Sequence, residues 1–136
     1  LFSKGKTQKV KQQRPVNLDL TSLKFPPMAI ASILHRISGL VLFILLPVML
    51  CVLKCSLSSP ESYAHTHALL KSHVLFKLMV WAFASAWIYH LIAGVRHLIM
   101  DAGFGESLNM GRLTSVLVIA LGALGVIFVG VALWSM

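Results

Sequence analysis

Two histidines and an arginine stand at the end of a segment apolar enough to cross a membrane, in the stretch His90-Leu-Ile-Ala-Gly94-Val-Arg96-His97-Leu-Ile-Met-Asp101. Ionisable groups at membrane depth are costly and are kept mainly where they face a bundle interior, a cofactor or a pathway. An imidazole in such a place suits axial ligation of haem iron. The other reading is a histidine hydrogen-bonded between helices, with small residues nearby for packing. On a helical wheel, Phe83, Ala86, Gly94 and His97 fall within about 40° of His90. Small residues one turn either side of His90 would let a flat macrocycle lie against the helix. His97 lies about 10 Å further along this stripe, too far to ligate the same iron but suitably placed for a propionate or a headgroup.

A second polar cluster, Ser32-Ile-Leu-His35-Arg36-Ile-Ser38-Gly39, opens another apolar segment. Ser32, His35, Arg36 and Gly39 have the spacing i, i+3, i+4, i+7, which is one helix face. Arg36 is permanently cationic and offers several donors, and Ser32 supplies a hydroxyl one turn away. Together they suit the carbonyl oxygens of a quinone or the propionates of a haem. Against this stand a snorkelling arginine and a serine bonded to its own backbone.

These clusters need spans to position them. The chain has 136 residues, 57% hydrophobic and only 12% charged, with a mean hydropathy of +0.84. Soluble domains carry charge on about a quarter of their residues, so an all-α integral membrane protein is expected. Three apolar segments, at about 28–53, 74–100 and 113–136, are each long enough for a hydrocarbon core of about 30 Å. Pro26 and Pro27 suit a first helical turn, and Pro47 is a candidate kink. Residues 1–27 read as a basic arm, 54–72 as a polar loop and 101–112 as a short loop. No apolar run occurs in residues 1–23, so no signal peptide is expected.

The net charge of +8 would suggest nucleic acid in a soluble protein, but here the basic residues flank apolar spans. They fit topology and anionic lipid, with no nucleic-acid partner. With the amino terminus inside, Lys4, Lys6, Lys9, Lys11, Arg14, Lys24, Arg36, Arg96 and Arg112 lie on the inner side. Lys54, Lys71 and Lys77 lie outside. That bias places both polar clusters toward one membrane face.

Only His90 is deep enough to be an obvious iron ligand, so a second axial ligand is expected from another subunit. His35 and His97 are expected near the membrane surface. His65-Thr-His67 has metal-pair spacing but no third ligand, and reads as solvated loop. Cys51 and Cys55 are too few for an iron–sulfur cluster and read as buried free thiols. The third span carries Gly122, Gly125 and Gly130 without a GxxxG pair.

The two clusters resemble the cytochrome b subunit, the large membrane anchor, of succinate dehydrogenase (respiratory complex II). The first pattern is Arg14-Pro15-Val16, Leu20, then Ser32-x-x-His35-Arg36-x-Ser38-Gly39. The second is His90-x-x-x-Gly94-Val95-Arg96-His97-x-x-Met100-Asp101. The resemblance implies a three-helix anchor in a heteromeric bundle with a second anchor subunit. It also implies docking of an iron–sulfur subunit and a flavoprotein that oxidises succinate, within the tricarboxylic acid cycle and aerobic electron transport. It makes His90 a haem b ligand, puts His35 and His97 near the propionates, and makes Ser32 and Arg36 ubiquinone-site residues. Arg36 then serves cofactor and quinone alike. The chain would be a non-flavin subunit of the enzyme, with succinate chemistry on partners. A bacterial inner membrane is expected, the mitochondrial inner membrane being the alternative. Rival readings are the anchor of a menaquinol-linked fumarate reductase and a purely structural membrane anchor.

Overall fold

The structure, a computed structural model, describes residues 25–105 and 107–136. The basic arm and the Arg14-Pro15-Val16 pattern lie outside the described residues. Three long helices, α1 (Pro27–Ser56), α3 (Val74–Asp101) and α4 (Leu108–Trp134), are each long and apolar enough to cross a membrane. A shorter helix, α2 (Pro60–Ser72), joins α1 to α3. At about 1.5 Å per residue, the 30 residues of α1 span more than a hydrocarbon core.

Sequence chemistry accounts for the ends. Pro27 occupies the first turn of α1, where its missing N–H costs nothing. The helix continues through Pro47, which leaves the Phe43 carbonyl without its helical donor. The segment expected to be a loop at 54–72 is largely helical instead. Ser59 caps α2 by accepting from Ser62 N at 3.1 Å, Pro60 opens the first turn, and Glu61 and Lys71 complement the two helix ends. The residues Ser-Ser-Pro-Glu are therefore a helix start. The signal was also in the spacing of Tyr63, Thr66, His67 and Leu70, which line one cavity.

The third span starts earlier than expected, at Leu108, so Arg112 lies in α4 rather than in a loop. Ser107 caps it, its Oγ accepting from Met110 N. The turn before it needs left-handed backbone at Gly103 (φ 86°) and Gly105 (φ 78°), where other residues would be strained. Gly103 N donates to Met100 O and Phe104 N to Ile99 O, closing the end of α3.

α3 is central and packs against both α1 and α4. The buried set is small: Ala31, Ser38, Ser85, Ala86, Tyr89, Ala93, Arg96, Ser115, Val118 and Leu133 among them. Large apolar side chains such as Phe43, Leu75 and Phe128 lie outside, as lipid allows. Cys51 and Cys55 are free and exposed, not buried as expected; Cys55 borders an open cavity against Glu61, Ser62 and His65 of α2. The largest cavity, about 520 Å³, lies between α1, α2 and α3 and is lined by Leu50, Leu53, Tyr63, His67, Phe76 and Phe83, among others.

Candidate functional site

The start of α1, the end of α3 and the start of α4 meet at one end of the bundle. Tyr89 Oη donates to the Ala31 carbonyl at 3.1 Å, which sets the register of α1 on α3. A Cβ on Gly39 would stand 3.1 Å from Cε1 of His90. The missing methyl is the room that the imidazole occupies. A Cβ on Gly94 would stand 3.8 Å from Nε2 of His35. The imidazole of His35, on α1, thus comes within ordinary van der Waals reach of Gly94.

This close approach makes a column of three imidazoles. His35 stacks on His90 with ring centroids 4.1 Å apart and planes 19° apart. His35 also lies 5.1 Å from His97, tilted by 45°. The two α3 histidines, separated by two turns, are bridged by a ring from α1. His35 is therefore at the level of His90 and not only near the surface. Among the described residues, no group of three histidine, cysteine or carboxylate side chains is placed to hold a metal ion. The column is a stack, not a chelate.

His90 is anchored on one edge. Its Nδ1 lies 3.2 Å from the His35 carbonyl oxygen and 3.1 Å from Ser38 Oγ. Ser38 is 6% exposed, and its hydroxyl donates to the same His35 carbonyl at 2.8 Å. Nε2 of His90 makes no hydrogen bond to a described residue. Nε2 of His35 is buried and has no partner among the described residues, a position where a polar atom ordinarily finds one.

Ser32 and Arg36 lie on α1 as the spacing predicts, with Arg36 exposed and Ser32 half-buried. Neither side chain hydrogen-bonds to another described residue. His65 and His67 lie on α2, about 200° apart around its axis. His67 stacks with Tyr63, centroids 6.2 Å apart.

Arg96 has a role that charge counting missed. It is 9% exposed, donates from Nε to Thr114 Oγ1 at 3.0 Å and from Nη2 to the Gly111 carbonyl at 3.3 Å. It ties α3 to the first turns of α4. The signal available in the sequence was an arginine inside an apolar segment, opposite a Gly-x-x-Thr-Ser start of the next helix. Ser38 and Tyr89 were likewise visible only as residue types until their partners were known.

The profile of the family described as succinate dehydrogenase/fumarate reductase transmembrane subunit matches residues 10–129. The chain is 48% identical over 122 residues to a succinate dehydrogenase cytochrome b556 subunit of Coxiella burnetii, covering 90% of this chain and 98% of that one. A cytochrome b556 subunit of Rickettsia prowazekii is 33% identical over 107 residues, covering 79% and 82%. A cytochrome b560 subunit of Reclinomonas americana is 33% identical over 115 residues, covering 82% and 80%.

Proposed function

The chain belongs to the succinate dehydrogenase/fumarate reductase transmembrane subunit family, and from that premise we propose that it anchors a succinate:ubiquinone oxidoreductase, binds haem b and helps form the quinone site. The observation that carries this is the imidazole of His90, held at Nδ1 by α1, with no partner for Nε2 among the described residues. Haem fits the residues present. A ligating histidine ordinarily engages a backbone carbonyl through its other nitrogen, and His90 does so. The unmet Nε2 of His35 and the exposed Arg36 supply polar groups for propionates at the same end. Bound haem b would supply a one-electron centre. A further ligand to the iron would come from the second anchor subunit, since His35 and His97 are stacked in the column beside His90.

Ser32 and Arg36 would receive ubiquinone next to the iron–sulfur subunit, whose electrons originate on the flavoprotein. Ser32 donates a hydrogen bond to a quinone carbonyl. Arg36 stabilises negative charge that develops on the quinone oxygen as it is reduced. The unequal flanking charges favour the inner face for this site, from which protons for the quinol would be drawn, and the bacterial relatives favour a bacterial inner membrane. The names of the relatives favour succinate oxidation over a menaquinol-linked fumarate reductase.

The test is succinate oxidation by the assembled complex with quinone or with a soluble dye as acceptor. Losing a buried hydrogen bond costs about 1–3 kcal/mol, so Ser32→Ala should weaken quinone turnover by roughly 5- to 150-fold at most. Arg36→Leu should lose more. Arg36→Lys should recover part, keeping charge without the planar fork. Dye-linked oxidation should persist in all three. Normal quinone kinetics in both Ser32→Ala and Arg36→Leu would overturn the quinone assignment.

A further inference from the structure

Resting on the reading of His90 as a haem ligand, we infer that Ser38 is the positioning residue that sets the tautomer of His90 and tunes the iron it would bind. The argument is one of proton counting. A serine hydroxyl has one hydrogen to donate. In Ser38 that hydrogen is used on the His35 carbonyl, at 2.8 Å. What Ser38 turns toward His90 Nδ1 at 3.1 Å is therefore a lone pair. The second neighbour of Nδ1, the His35 carbonyl at 3.2 Å, is also only an acceptor. Two acceptors facing one ring nitrogen require that nitrogen to carry the hydrogen. The neutral ring then has its lone pair on Nε2, the form in which an imidazole can ligate iron.

The arrangement is built to hold. Ser38 is 6% exposed and Gly39 leaves room for Cε1 of His90. The stacked ring of His35 covers one face of His90. The serine thus does with α1 what a carbonyl or carboxylate hydrogen-bonded to the far ring nitrogen does at other histidine-ligated metals: it orients the ring and raises the basicity of the ligating nitrogen. A more basic ligand favours ferric over ferrous iron. Removing the Ser38 acceptor leaves Nδ1 only the His35 carbonyl, and should therefore make the haem midpoint potential more positive and loosen the haem.

The experiment uses the whole complex purified with Ser38→Ala, Ser38→Thr and Ser38→Val, beside the unaltered protein and His90→Leu. Threonine and valine have nearly the same shape and differ in the hydroxyl, so their comparison removes packing from the result. Two quantities are read: the haem midpoint potential, and the rate of haem transfer to excess apomyoglobin. Ser38→Thr should match the unaltered protein. Ser38→Val and Ser38→Ala should show a more positive potential and haem loss roughly 10- to 100-fold faster. Equal potentials in Ser38→Thr and Ser38→Val would overturn the inference. If those two do not assemble, Ser38→Ala, which needs no added room, decides it: an unchanged potential and loss rate refute it. An unchanged haem spectrum in His90→Leu would remove the ligand assignment itself. A disturbed spectrum there with Ser38→Thr and Ser38→Val alike would remove only the role of Ser38.

Discussion

The two ends of the bundle are held by different means. At the end carrying the imidazoles, helices are joined by hydrogen bonds between polar groups and backbone. Tyr89 reaches the Ala31 carbonyl, Arg96 reaches Thr114 and Gly111, and Ser38 and His90 share the His35 carbonyl. At the other end, aromatic side chains do the joining. Trp81 and Trp134 meet edge to face at 6.2 Å, Lys77 Nζ lies 5.7 Å from the Trp134 ring, and Trp81 Nε1 donates to the Val126 carbonyl. That second end also leaves the cavity of about 520 Å³. Lipid gives apolar side chains little reason to seek each other, so helix association in a membrane rests on close fit and polar contacts. The end with many polar contacts can hold side chains at defined angles, as a ligand site requires. The end with few can tolerate open space.

Substitutions can break this contrast. The largest effect should come between the two ends, at Gly122, where a Cβ would collide with the Tyr89 ring. Gly122→Val should destabilise the assembled complex by about 3 kcal/mol. It should also disturb the end that carries the imidazoles, since Tyr89 carries the hydrogen bond to Ala31. The thermal midpoint of dye-linked activity, together with haem content, measures this. Gly125→Val should cost less, because the Cγ2 of Ile88 stands further from the added Cβ than the Tyr89 ring does at Gly122.

Next in size is Arg96→Met. It removes two charge-assisted hydrogen bonds, but it also removes the burden of a buried charge. The Gly111 carbonyl keeps the hydroxyls of Ser115 and Thr114. A net loss of about 2 kcal/mol is expected in the same thermal assay. A loss no greater than that of Trp81→Phe would erase the distinction between the ends.

Trp81→Phe removes the bond to Val126 O and part of the ring that packs against Trp134 and Gly130. It should cost about 1 kcal/mol and leave the haem spectrum unchanged. A changed spectrum would show that the two ends are coupled. The smallest effect belongs to His65→Ala on the exposed side of α2. Stability should move by less than about 0.5 kcal/mol, and haem content and quinone kinetics should stay constant.

Long apolar runs and their flanking charges are local properties, and they carried the three spans and the two polar faces without any knowledge of packing. The Ser59-Pro60-Glu61 start of α2 was equally local. It was passed over because a helix of balanced polarity lacks the apolar run that marks a span. Ser32, His35, Arg36, His90 and His97 could be placed on helix faces from spacing, since the turn of a helix fixes relative angle.

What spacing leaves open is how one helix is rotated and shifted against the next. Here that is decided by side chains fitting between α1, α3 and α4: the His90 ring in the gap of Gly39, and the Tyr89 ring against Gly122. Those fits bring His35 between His90 and His97, give Arg96 its partners on α4, and put the Ser38 lone pair against Nδ1. The sequence by itself determined which residues could serve a ligand site and at which end of which helix. Only the tertiary structure decided which of them touch, because contacts between helices depend on a register that no single helix encodes.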